Sequence, residues 1–108
     1  MKTVSVNVFW VPAAQGGRSD LPKGLQYSTV SKWPDQPDDD WLRAAWSIVL
    51  EFDRSPAEQG SPSSARARFL VDEAPQDWLQ PGRKFELYEG RRKVADVQIV
   101  EQSAEKRK

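Results

Sequence analysis

The side chains that most often carry catalysis are scarce in this sequence. It contains no cysteine and no histidine, so a thiol nucleophile, the usual zinc ligands and the usual general base are all absent. The densest carboxylates are Asp35, Asp38, Asp39 and Asp40. They lack the spaced Asp-x-Asp-x-Asp-Gly pattern of a calcium loop, and no neighbour could orient them for acid–base chemistry. We therefore expect a solvated loop here, and no catalytic residue, metal or cofactor in the chain.

Basic side chains form the second group with possible chemistry. Arg91, Arg92 and Lys93 follow one another near Tyr88, and cations beside an aromatic ring could contact a phosphate backbone. Such charges also protect exposed strand edges and turns from pairing with other chains. The chain has 16 basic and 16 acidic residues, so no overall field attracts nucleic acid. The sequence thus favours edge protection, with RNA binding as the alternative.

Aromatic side chains form the third group, because five of the 108 residues are tryptophan. Trp10 and Trp46 fall on apolar faces and are predicted core residues. Trp33, Trp41 and Trp78 lie at the ends of predicted strands or in loops. Tryptophans in such places either contact a protein partner or cover the open ends of a small barrel, and both alternatives stay open. The predicted partner-binding residues of this aromatic group are Trp33, Trp41 and Tyr88.

The elements that must position these residues are strands, because apolar and polar residues alternate with a period of two. The predicted strands are residues 3–11, 24–30, 41–53, 65–73, 83–89 and 93–101. Residues 41–53 also have helical propensity after Asp40, but six apolar residues at period two favour a strand. Near-even spacing and the absence of a convincing helix predict an all-β protein, either a small antiparallel barrel or a sandwich.

The length of the chain is typical of one domain, which we place at residues 1–102, followed by a flexible charged tail at 103–108. Residues 54–64 are predicted to be a flexible connection. No apolar run reaches membrane-spanning length, and the first ten residues alternate where a secretory signal would be continuously apolar. We expect a cytoplasmic protein that does not enter a membrane. The sequence leaves its oligomeric state open.

Two motifs carry a resemblance to a known family. Pro81-Gly82 leads into Phe85 and Leu87, and Glu89-Gly90-Arg91-Arg92 then turns the chain towards Val94-Ala95. Gly16-Gly17-Arg18 follows the first predicted strand. In their order along the chain, the two motifs resemble the C-terminal β-barrel, which is the third domain, of elongation factor Tu. Arg91 stands where that family has a second glycine, and Lys93 where it has a threonine.

The resemblance implies a small closed antiparallel β-barrel of about six strands. Its first loop would lie in a surface that meets other domains and partners. The resemblance thereby makes Arg18 an interface candidate. The phosphate-binding loop of a GTPase, Gly-x-x-x-x-Gly-Lys-Ser/Thr, is absent from this sequence. We therefore predict a non-enzymatic binding module whose partner is another protein.

Overall fold

Six antiparallel strands close into a barrel in the computed structural model, which describes residues 1–36 and 41–100. The strands are β1 (Val4–Trp10), β2 (Gln26–Lys32), β3 (Trp46–Glu51), β4 (Ser63–Phe69), β5 (Lys84–Glu89) and β6 (Arg92–Ile99). They follow one another around the barrel as β1-β4-β3-β2-β5-β6. The predicted all-β closed barrel is therefore confirmed. The predicted tail at 103–108 and the acidic residues Asp38, Asp39 and Asp40 lie outside the described residues.

Alternation along each strand builds one core. In β1, Val4, Val6, Val8 and Trp10 are buried, while the residues between them are half-buried or exposed. The inward residues of the other strands join them in one cluster that reaches both ends of the barrel. Burial of apolar surface contributes about 25 cal/mol per Å², so this shared interior is the main source of stability.

The hairpin of β5 and β6 turns at Gly90, whose φ of +64° suits glycine. Leu87 pairs with Ala95 but Tyr88 pairs with Lys93, so β6 carries an extra residue at this point. This bulge lets the adjacent Val94 and Ala95 both face the interior.

The predicted long strand at 41–53 is wrong in its first half. Trp41–Ala44 forms a short 3-10 helix, and β3 begins only at Trp46. Ala44 is exposed, and the buried residues of β3 begin only at Ile48. The helix-favouring Leu-Arg-Ala-Ala run decides this local structure, because the segment has no pairing partner before β3 starts. Trp46, predicted to be deep in the core, is half-buried and packs against it.

Three other boundaries also differ. β4 starts earlier than predicted and ends at Phe69. Val71, which the alternation in the predicted strand at 65–73 places inward, is 40 % exposed. β2 starts at Gln26, which leaves Leu25 59 % exposed. The predicted flexible connection contains a four-residue helix, α1 (Pro56–Gln59), capped by Ser55.

The side chain of Gln59 protects part of β4 from outside pairing. β4 pairs with β3 only over Arg66–Phe69, which leaves Ser64 beyond the ladder. The Ser64 backbone N–H donates to Gln59 Oε1 at 2.8 Å, and Gln59 Nε2 donates to the Ser64 carbonyl at 3.1 Å. One amide side chain therefore takes the place of a neighbouring strand.

Among the described residues, no helix has the length and apolar character needed to span a membrane.

Candidate functional site

The two sequence motifs meet at one end of the barrel. Arg18 follows β1, and Glu89 ends β5 at the hairpin turn; Arg18 Nη1 lies 2.5 Å from Glu89 Oε2. The hydroxyl of Tyr27, near the start of β2, donates to the same carboxylate oxygen. The guanidinium of Arg18 also lies over the Tyr27 ring, 5.4 Å from its centroid. We call Arg18, Tyr27 and Glu89 the loop–hairpin cluster.

Electrostatics keep this cluster charged. Burial acts to raise the pKa of the Glu89 carboxyl, but hydrogen bonds from Tyr27 and Arg18 outweigh it and lower the pKa overall. Burial, together with the hydrogen bond to Glu89, raises the pKa of the Tyr27 hydroxyl far above its usual range. An ionised Glu89 thus accepts from a neutral Tyr27 and a cationic Arg18. The predicted interface residue Arg18 is engaged within the fold, and its side chain is 28 % exposed.

Trp33 is not an exposed partner-binding residue, and that prediction is wrong. It is 1 % exposed, and its ring stacks on Phe85 with centroids 4.3 Å apart. The indole N–H donates to Ser31 Oγ at 2.8 Å. The chain turns inward directly after β2, where Gln36 Oε1 accepts from the Trp33 backbone N–H at 2.9 Å. Trp33 therefore covers one end of the barrel, the other role that sequence left open.

Trp41 and Tyr88 come together on the outside of the barrel wall. Their ring centroids are 4.7 Å apart with planes tilted by 55°, and both residues are half-buried. The Tyr88 hydroxyl donates to Glu86 Oε1 at 3.0 Å. Partial burial, and next this hydrogen bond, raise the pKa of the Tyr88 hydroxyl. The 3-10 helix positions Trp41 and β5 positions Tyr88. The fold thus brings together two rings that are 47 residues apart in the sequence. We call them the aromatic pair.

The three predicted phosphate-contacting residues differ in their surroundings. Lys93 Nζ lies 2.8 Å from Asp96 Oδ1 and 3.4 Å from Glu86 Oε2, so its charge is neutralised locally. Arg91 and Arg92 are exposed at the hairpin turn. Arg66 and Arg68, the outward pair of β4, also have acidic neighbours, with Arg66 Nη1 3.1 Å from Asp53 Oδ1. Lys93, Arg66 and Arg68 thus each have a carboxylate within 3.6 Å that compensates their charge.

The described residues contain no group of three or more side chains that could hold a metal ion. What the arrangement offers is surface recognition by aromatic and hydrogen-bonding groups. The sequence does not reveal two members of the loop–hairpin cluster, Tyr27 and Glu89. In the sequence Glu89 is only part of a turn, and its two partners are far away along the chain.

Comparison of the chain with known protein families, with curated proteins and with solved structures finds no match to any of them.

Proposed function

We propose that this protein is a non-enzymatic binding module, and that it recognises another protein through the aromatic pair. The observation that carries the proposal is the distribution of the tryptophans. Trp10 and Trp33 are buried in the core cluster, and Trp46 and Trp78 pack against it. Trp41 belongs neither to that cluster nor to its packed rim among the described residues. Its ring instead lies on Tyr88, outside the barrel wall.

An aromatic pair in this position has the properties of an interface centre. Trp and Tyr are enriched among the residues that dominate binding energy, because they bury a large area with few rotatable bonds. Interface centres are usually surrounded by polar groups that exclude water. Glu86 accepts from Tyr88 and lies 3.4 Å from Lys93, so a polar border of this kind adjoins the pair. The partner surface that fits it is an apolar contact with hydrogen-bonding groups at its edge.

The resemblance to the C-terminal barrel of elongation factor Tu supports a binding role without catalysis, although a fold alone does not identify a partner. The alternative role, RNA binding by Arg91, Arg92 and Lys93, has less support. Lys93 is held between two carboxylates, and a phosphate would have to compete with them.

The test is to identify and then measure a partner. Proteins that co-purify with the tagged chain are compared, by quantitative mass spectrometry, between the wild type and the double variant Trp41→Ala/Tyr88→Ala. The strongest candidate is then purified and titrated by calorimetry. Loss of two aromatic contacts is expected to weaken its affinity by about tenfold or more.

The matched control is Leu25→Ala, because Leu25 is 59 % exposed and lies away from the aromatic pair, before β2. It should bind like the wild type. Far-ultraviolet circular dichroism must show that all three proteins are folded. Equal affinity of the double variant and the wild type for every partner would contradict the proposal.

A further inference from the structure

A second surface, unrelated to the aromatic pair, covers the outside of β4, β1, β6 and β5. The strand pairings place Ser64, Asn7, Gln98 and Lys84 in one row that runs across these four strands. Neighbouring strands lie about 4.8 Å apart, so the row is about 14 Å long. Phe9 lies beside it on β1, 42 % exposed. We call Phe9 and the row together the β1 face.

Three polar side chains of this row make no hydrogen bond in the part of the chain that the structure describes. The side chains of Asn7, Gln98 and Lys84 make no hydrogen bond or ion pair with any residue in 1–36 or 41–100. Asn7 is half-buried, so its amide is only partly accessible to water. An amide group offers two donors and two acceptor sites. The β1 face therefore presents side-chain donors and acceptors of Asn7, Gln98 and Lys84 that make no hydrogen bond within the described residues.

Open grooves lie at the two ends of the row. One of about 370 Å³ lies where β1 meets β4, and Asn7, Ser64 and Arg66 line it. Another of about 350 Å³ lies where β1 meets β6, and Phe9, Gln98 and Lys84 line it. Both volumes are at the lower end of the range for ligand clefts, ~300–1,000 Å³. Because Asn7 and Gln98 pair directly, the row joins the two grooves.

Two charged groups beside the row are paired, whereas Lys84 in the row has no ion pair among the described residues. Asp96 lies 2.8 Å from Lys93, and Arg66 lies 3.1 Å from Asp53. A polyanion would therefore meet one unpaired cation in this row and no basic patch, whereas a neutral ligand needs no opposite charge to bind.

We infer that the β1 face binds a neutral oligosaccharide. A sugar ring has an apolar C–H face, which matches the exposed ring of Phe9, and a rim of hydroxyl groups. Hydroxyl groups donate and accept at once, which matches the free amides of Asn7 and Gln98. The shallow, open grooves suit an extended chain of such rings. This site is separate from the proposed protein interface, because Trp41 and Tyr88 do not line either groove.

The experiment uses the full chain and four probes, the hexasaccharides of glucose in β-1,4 and α-1,4 linkage, of N-acetylglucosamine and of mannose. Each is titrated at millimolar concentration into ¹⁵N-labelled protein and followed by two-dimensional NMR. A single-stranded RNA dodecamer is titrated in parallel. We expect at least one sugar to shift the amide signals of β1, β4 and β6, with an affinity that does not depend on salt.

Variants then test the residues. Phe9→Ala should weaken the binding of that sugar by about tenfold or more, and Asn7→Ala and Gln98→Ala should each weaken it severalfold. Leu25→Ala, which removes an exposed apolar side chain elsewhere, should change nothing. These outward residues lie outside the core, so the variants should fold. No response to any of the four sugars, a response that Phe9→Ala leaves unchanged, or salt-dependent binding of the RNA alone would each overturn the inference.

Discussion

At the scale of single residues, Glu89 joins three parts of the chain that are far apart in sequence. Its carboxylate accepts from Arg18 in the loop after β1 and from Tyr27 in β2, while Glu89 itself ends β5. Hydrogen bonds to charged groups contribute more than neutral ones. Because the Glu89 side chain is 34 % exposed, solvent reduces what the cluster contributes.

The change Glu89→Gln should lower the free energy of unfolding at neutral pH by about 1 kcal/mol. The pKa of Glu89 is lower in the folded than in the unfolded chain. Its contribution is therefore fully present above the unfolded pKa, and it is lost as the pH falls through the folded pKa. Urea unfolding of both proteins, from neutral pH down to below the usual carboxyl range, should show the difference shrinking as acid is added.

The matched control for this change is Glu58→Gln, because Glu58 is 67 % exposed and faces Arg54 at 3.7 Å in an ordinary surface pair. It should leave stability nearly unchanged at every pH. A Glu89→Gln protein as stable as the wild type at neutral pH would show that the cluster does not stabilise the fold.

At the scale of elements, the loop after β1 is shaped by close backbone packing. A Cβ atom on Gly17 would lie 1.9 Å from the carbonyl oxygen of Val11, so the loop closes only around glycine. This close approach requires glycine at position 17, directly before Arg18. The tight loop brings the guanidinium back towards the hairpin.

Gly17→Ala should therefore lower the free energy of unfolding by about 1–3 kcal/mol, the usual cost of forcing an atom into a packed site. Gly24→Ala is the control, because the nearest atom to its added Cβ is 3.9 Å away. It should change stability by less than about 1 kcal/mol. Thermal unfolding of the two variants checks the expectation, and equal melting temperatures would contradict it.

Sequence alternation predicts some of these elements well and others poorly, for a physical reason. In β1, β5 and β6 one face is buried throughout, so the period of two identifies the strand. Residues 41–45 have apolar residues at the same period, yet no strand pairs with them. Local helical preference then decides their structure. Trp33 shows the same limit at one position, because only the path of the chain across the barrel end reveals that it is buried.

At the scale of the whole molecule, closure of the barrel depends on pairings that sequence does not show. β1 pairs with β4 and β6, and β2 with β5, across long stretches of chain. Even spacing of strands predicts a barrel, but not this order. The balance of charge is predictable from composition, whereas its pairing residue by residue is a property of the fold. At the hairpin that pairing compensates the charge of Lys93, while Arg91 and Arg92 stay exposed.

Because one core cluster reaches both ends, the barrel should unfold as a single cooperative unit. Urea transitions followed by tryptophan fluorescence and by far-ultraviolet circular dichroism should coincide. The buried Trp33 at one end and Trp10 at the other should therefore lose their packing together. Two separated transitions would show that the ends are independent.

The separation of Trp41 from the other tryptophans has a consequence for spectroscopy. Four indoles share the packed interior or its rim, and one lies outside the wall. A soluble quencher should reach the half-buried Trp41, Trp46 and Trp78 more readily than the buried Trp10 and Trp33. The difference in emission between the wild type and a Trp41→Phe protein would isolate the fluorescence of Trp41. Occupation of the aromatic pair by a partner could then be followed without any attached dye.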